Sequence, residues 1–245
     1  MRWVRRGAFA LLLVVGALGS SGAYVGYRLS HPSPEDFHPQ VQVAGSALQQ
    51  ALASAPAQRY LSDFRYQGTW STCGPVSLRN VLVSLGADID RERLLFEHER
   101  LAWWRTLGMG MTLDELADLA RANTSHVVEA LRPQRLDAFR AILVGANAPG
   151  TRLIVNFDRA AAFGVSVGHF SPVGGYDPDT GLVTLLDVTE RYGFSLVPDR
   201  LLFQGTRMED PMSGQARGVL RIVVRPASAD RRTSTVVGFK SGAGR

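Results

Sequence analysis

The stretch Tyr66-Gln-Gly-Thr-Trp-Ser-Thr-Cys73-Gly-Pro-Val-Ser-Leu-Arg-Asn-Val-Leu-Val-Ser-Leu-Gly86 decides how the rest of the chain is read. Leu78, Val81, Leu82 and Leu85 recur at the i, i+3, i+4, i+7 spacing of one buried helix face. Pro75 suits a first helical turn, because the N–H it lacks would have no intrahelical acceptor there. Gly86 supplies a C-terminal stop. Cys73, the single cysteine of 245 residues, therefore stands where a helix begins. Unpaired N–H groups and the helix dipole favour negative charge at that point. A thiol so placed loses its proton more readily than a free one, whose pKa is about 8.5. A lone cysteine is more often a buried structural residue. The helix start, Gln67 upstream and a His…Asp pair downstream set this one apart.

Bulk composition bounds the reading. Apolar residues make up 45% and charged residues 20% of the chain, as in an ordinary globular protein with one full core. The net charge is +5, but Arg2, Arg5 and Arg6 belong to an N-terminal targeting segment. Taking those three from 27 basic residues leaves 24 against 22 acidic ones, which implies no nucleic-acid partner. One cysteine rules out an internal disulfide and a multi-cysteine zinc site.

Residues 1–27 read as a signal peptide or a signal anchor. Three arginines precede an uncharged run from Gly7 to Tyr27, and Arg28 follows it. Ala8–Leu18 has the length of a signal-peptide core, whereas the whole run approaches the ~20 residues of a spanning helix. Either way the remainder is expected outside the cytoplasm, exported, periplasmic or membrane-anchored. A solitary thiol there reads as one kept for its reactivity. Residues 28–59 read as a linker: His31-Pro-Ser-Pro-Glu-Asp-Phe-His38-Pro39 is proline-punctuated, and Ser46–Arg59 has the composition of a short lead-in helix. Solvated histidines are a commoner explanation of His31 and His38 than a metal site.

The catalytic domain is assigned to residues 60–225. Trp103 and Trp104 beside Gly108-Met-Gly110 suggest a loop walling a cleft, or a cover over the core. Thr112-Leu-Asp-Glu115 is a capping box opening a helix with Leu113, Leu116, Ala117 and Ala120 on its apolar stripe. A short strand is expected within Ser125–Leu131, and a helix around Leu136–Leu143. Strands follow at Leu153–Phe157, Gly168–Tyr176, Leu182–Val188 and Val219–Val224, with the turn Asp177-Pro-Asp-Thr-Gly181 between the second and third. Helices first and an antiparallel sheet second give an α+β fold. Residues 226–245 read as a disordered tail.

Thiol hydrolase chemistry needs a nucleophilic thiolate, an imidazole to carry its proton, a group orienting that imidazole, and donors for the oxyanion. Cys73 can supply the first. His169 opens one strand and Asp187 ends the strand hairpinned to it, so their bonding would leave the other ring nitrogen facing Cys73. The Gln67 side-chain amide and the Cys73 backbone N–H are the expected oxyanion donors. This order of residues resembles the papain-like thiol hydrolases. Gly108-Met-Gly-Met-Thr-Leu-Asp-Glu-Leu, Leu153-Ile-Val-Asn-Phe-Asp-Arg159, Gly168-His-Phe-Ser-Pro-Val-Gly-Gly-Tyr-Asp and Leu185-Leu-Asp-Val narrow the resemblance to the phytochelatin synthase family. It runs from about Tyr60 to Val224.

That resemblance implies cleavage of the Cys–Gly bond of glutathione, or of a related γ-glutamyl peptide, through a γ-glutamylcysteinyl thioester on Cys73. A second glutathione or water would then accept the acyl group. It implies His169 as base and then acid, Asp187 as orienter, Gln67 in the oxyanion hole, and Gly168, Arg159 and Arg217 at the substrate. No cofactor is required for the chemistry, and a heavy-metal ion such as Cd or Zn would enter as activator or as a glutathione thiolate complex. The chain departs from the family at Thr189-Glu-Arg-Tyr-Gly-Phe-Ser-Leu-Val-Pro198, where an Arg/Lys/Tyr-rich stretch, paired prolines and a tryptophan are usual. No cysteine follows Cys73 in this sequence, so no part of it resembles the cysteine-rich C-terminal extension of plant members. Two other readings compete: a bacteriocin-processing type of papain-like peptidase, and a non-catalytic anchored thiol or metal-binding module.

Overall fold

A computed structural model describes residues 33–97 and 99–225. The targeting segment, His31 and the tail lie outside the described residues.

Thr72 ends the loop before helix α3 (Cys73–Ser84), and shorter helices α1 (Ser46–Leu52) and α2 (Ala55–Leu61) come before it. Then follow α4 (Arg100–Met109), α5 (Leu113–Asn123), β1 (Val127–Leu131), α6 (Leu136–Val144), β2 (Thr151–Asp158) and α7 (Ala160–Phe163). The chain closes with β3 (Gly168–Asp177), β4 (Leu182–Leu186), β5 (Phe194–Pro198), α8 (Asp199–Arg207), the two-residue pair β6 (Glu209–Asp210) and β7 (Gln215–Ala216), and β8 (Gly218–Val223). Six strands form one antiparallel sheet in the order β1-β8-β2-β3-β4-β5. The architecture is α+β, with helices dominating the N-terminal half and the sheet the C-terminal half.

Strand alternation explains why both faces of the sheet are covered. On β2, Ile154 belongs to one core, with Leu78, Val81 and Leu82 of α3 and Leu116 and Ala120 of α5. Its neighbours Leu153, Val155 and Phe157 belong to a second core, with Phe139 and Leu143 of α6 and Leu201 and Leu202 of α8. The capping box at Thr112 is present in both halves, the Glu115 N–H donating to Thr112 Oγ1 at 3.3 Å and the Thr112 N–H to Glu115 Oε2 at 2.8 Å.

Several elements differ from the sequence reading. The stretch around Trp103 and Trp104 is helix α4 rather than a loop. Leu101 and Trp104 lie on its exposed side, so it carries no apolar stripe by which periodicity could reveal it. Trp103 and Trp104 line a hollow with Arg93, Leu94, Phe96 and Glu97, apart from Cys73. The segment after Asp187 continues into β5 and then α8, and the mostly polar sequence of α8 hides two buried leucines. The stretch assigned to a linker is packed: Phe37 and Val41 lie against the second core, and α1 and α2 follow. A turn-rich composition signals a bend in the chain and leaves open whether that bend lies against a core. Among the described residues, no helix is long and apolar enough to cross a membrane.

Candidate active site

Helix α3 is buried on nearly every side, which goes beyond its leucine stripe. Arg79 and Asn80 are buried too. Arg79 pairs with Asp63 and donates to the Ile89 carbonyl at 3.0 Å. Asn80 bonds the backbone of Arg65 in both directions, accepting at 3.0 Å and donating at 2.8 Å. These contacts tie the chain before Cys73 to the helix that Cys73 opens. Tyr66 then stacks on Phe194 of β5, and the Gln67 N–H donates to the Val188 carbonyl at 2.7 Å. Gln67 is thereby held beside the residue that follows Asp187. Its Oε1 is buried without a partner.

The head of α3 sits directly on β3. A side chain at Gly74 would come into van der Waals contact with the Phe170 ring at 3.4 Å, which shows how closely helix and strand pack here. The Ser77 hydroxyl donates to the Phe170 carbonyl at 3.1 Å and locks the register. Cys73 is thus brought against the residue preceding Phe170, which is His169.

His169 Nε2 lies 3.0 Å from Asp187 Oδ1, and both side chains are buried. This leaves Nδ1 as the ring nitrogen available to the sulfur. Burial alone would favour a neutral thiol at Cys73. The charge and hydrogen bond of His169, the Phe170 N–H and the Arg159 charge outweigh it and lower the thiol pKa. Burial and Arg159 would likewise keep the imidazole neutral, but Asp187 and Cys73 raise its pKa. Asp187 is held well below the usual carboxylate range: Arg159, His169 and the Thr189 N–H overcome its burial. Both shifts run toward a thiolate facing an imidazolium, and such a pair can attack a carbonyl and return a proton to a leaving amine.

Arg159 does not reach toward open space as a substrate-gripping arginine would. Its side chain is 4% exposed, and Nη2 donates to Asp187 Oδ1 at 2.7 Å, to Asp187 Oδ2 at 2.6 Å and to Thr189 Oγ1 at 3.0 Å. The cause is topological, since Arg159 follows the end of β2 and meets the end of β4 across the start of β3. Arg217 lies flat over Gly168, where any Cβ would overlap its guanidinium. Its bonds are long, 3.3 Å to Asn156 Oδ1 and 3.4 Å to Asp210 Oδ2, and Nε is buried without a partner. Both arginines keep a buried Nε without a partner, but Arg159 is held by short bonds to Asp187 and Arg217 by long ones. Asn156 and Asp210 join the arginine with no sequence signal beyond their polarity. Among the described residues, no group of three or more His, Cys, Asp or Glu side chains converges as a metal site would.

Comparison with known proteins places the chain in a family. The family profile described as Phytochelatin synthase matches residues 33–219. Glutathione gamma-glutamylcysteinyltransferase 3 of Lotus japonicus is 30% identical over 215 residues, covering 80% of this chain and 44% of that protein. Glutathione gamma-glutamylcysteinyltransferase 1 of Arabidopsis thaliana is 27% identical over 215 residues, covering 82% and 44%. Glutathione gamma-glutamylcysteinyltransferase of Schizosaccharomyces pombe is 29% identical over 112 residues, covering 44% and 27%. The chain spans less than half the length of these relatives. The profile takes in Cys73, His169, Asp187 and Arg217 in one continuous match, and on that match the chain belongs to the phytochelatin synthase family.

Proposed function

We propose that this domain is a papain-like thiol acyltransferase or hydrolase acting on the Cys–Gly bond of glutathione. The observation that carries the proposal is the His169 ring, fixed through Nε2 to Asp187 while its charge lowers the Cys73 thiol pKa. Cys73 Sγ attacks the carbonyl carbon of the substrate's cysteinyl residue, and the carbonyl oxygen takes the electron pair. The first-turn N–H of Cys73 and the Gln67 side-chain amide are suited to receive that oxyanion. His169 gives its proton to the departing glycine nitrogen, the C–N bond breaks, and a γ-glutamylcysteinyl thioester remains on Cys73. An amine of a second glutathione, or water, then attacks the thioester as His169 takes up its proton, and the Cys73 thiolate leaves.

Arg217 is the better candidate for a substrate carboxylate, because its bonds to Asn156 and Asp210 are long whereas those of Arg159 to Asp187 are short. Arg159 is a positioning residue that holds Asp187. A Cd or Zn ion would enter as the substrate's thiolate complex. The test is to incubate the full chain with reduced glutathione, with and without Cd²⁺, and to weigh the products. Repeated γ-Glu-Cys units report transfer, and γ-Glu-Cys with free glycine reports hydrolysis. Absence of both under reducing conditions removes the glutathione reading.

A further inference from the structure

Behind the Asp187 group lies a layer that the chemistry above does not use. The Tyr192 ring lies against the Arg159 guanidinium, 3.6 Å from Cζ to the ring centroid. Phe37 stacks on Tyr192 with centroids 5.8 Å apart and planes 10° from parallel. Phe163 meets both edge-on, at 5.0 Å from Phe37 and 5.4 Å from Tyr192. Phe157 continues the cluster to the His169 ring, 6.0 Å away at 86°. Tyr192 belongs to the segment where this chain departs from the family's wording. Phe37 belongs to the stretch whose composition resembles a linker.

That stretch is pinned as a strap. The His38 N–H donates to the Ala162 carbonyl at 2.9 Å, and Gln42 and Leu196 exchange two backbone bonds at 2.9 Å each. A side chain at Gly164 would overlap the Asp36 carbonyl, so the strap lies directly on the end of α7. Arg159 reaches Asp187 through one nitrogen, Nη2, while its Nε has no hydrogen-bond partner. A guanidinium held at one corner can pivot about it unless a flat ring lies against its face.

We propose that Phe37 and Tyr192 are positioning residues which, by stacking behind Arg159, hold the Asp187 carboxylate and so the His169 ring in the orientation that serves Cys73. The turnover arm of its test rests on the glutathione reading, whereas the alkylation arm needs no substrate. The charged groups facing Cys73 are His169 and Arg159, and those facing His169 are Asp187, Arg159 and Cys73. Loss of Arg159 from its place or of His169 from its orientation each makes the Cys73 thiolate harder to form.

The experiment measures iodoacetamide alkylation of Cys73 in the full chain against pH, for Phe37→Leu, Tyr192→Leu and Tyr192→Phe. In both leucine variants the acid limb is expected to move up by about half a unit to one unit. With glutathione, kcat is expected to drop on the order of tenfold while KM stays within about twofold. Tyr192→Phe keeps the flat face and should keep the wild-type profile. If Tyr192→Leu does not fold, Phe37→Leu on the half-buried strap decides alone. An unmoved acid limb in folded Phe37→Leu overturns the proposal, as does an equal displacement in Tyr192→Phe. Loss of the fold in both leucine variants also overturns it, since the stack would then be core packing alone. Should wild type and variants all leave glutathione intact, the alkylation profiles still decide.

Discussion

The two ends of β3 carry the same parts in different settings. At one end, buried Asp187 bonds His169 and the buried guanidinium of Arg159. At the other, buried Asp199 accepts from the Tyr176 hydroxyl at 2.8 Å and from Arg140 Nε at 2.6 Å, but the Arg140 side chain is 50% exposed. Burial and the bond to Asp199 push the Tyr176 pKa up to about 12, so that group stays neutral and exchanges no proton near pH 7. At His169, Asp187 and Cys73 raise the imidazole pKa against the opposing effects of burial and Arg159. A carboxylate and an arginine thus meet a tyrosine hydroxyl in one place and an imidazole beside a thiol in the other. The third partner, and the solvent's access to the arginine, set the two ends apart.

Removing the sulfur should break the comparison most completely. Cys73→Ala is expected to lower glutathione turnover by more than about a thousandfold, measured by product mass, whereas Arg140→Lys at the far end leaves it intact. The carboxylates come next. Asp187→Asn leaves Arg159 buried without its counter-charge, so urea unfolding should show a loss of about 3 kcal/mol or more. Asp199→Asn leaves behind a half-exposed arginine and a hydroxyl that can still bond the amide, so about 1–2 kcal/mol is expected, with kcat retained. Equal losses at the two ends would remove the distinction.

A smaller effect sharpens the electrostatics. Because the Cys73 pKa is lowered, alkylation should persist below the ordinary thiol range and fade as pH drops through that lowered value. In His169→Asn the fading should begin at higher pH, while Tyr176→Phe leaves the profile in place. The smallest contrast uses two glycines. At Gly168, an alanine Cβ would displace the flexible end of Arg217, so KM for glutathione should rise about tenfold with little change in stability. At Gly181, with φ +68° and Asp199 3.3 Å from the added carbon, alanine should cost about 1 kcal/mol and leave KM alone.

Much of the fold was legible because it rests on local periodicity. The α3 stripe, the Thr112 box and the alternation in β2 all announce themselves within a dozen residues. The candidate residues Cys73, His169 and Asp187 could be named for the same reason, each being a chemically distinctive type at an element's start or end, and Gln67 by its place six residues before Cys73. Helix α4 was not legible, since its exposed Leu101 and Trp104 erase the stripe that burial normally writes. The packing of Phe37 was not legible either, because proline-rich composition describes backbone stiffness and says nothing of what the one aromatic residue meets.

Arg159 marks the boundary between the two kinds of information. Sequence alone determined that a cation stands at the end of β2, that a thiol opens a helix, and that a glycine precedes the histidine. Tertiary structure decided that this cation, 28 residues from Asp187 along the chain, is buried on that carboxylate while Arg217 lies over the glycine, held by longer bonds. The physical reason is that local pattern fixes which face of an element is apolar. The partner of a buried charge depends on which strand ends the sheet order brings side by side, and that order is set by packing summed over the whole core.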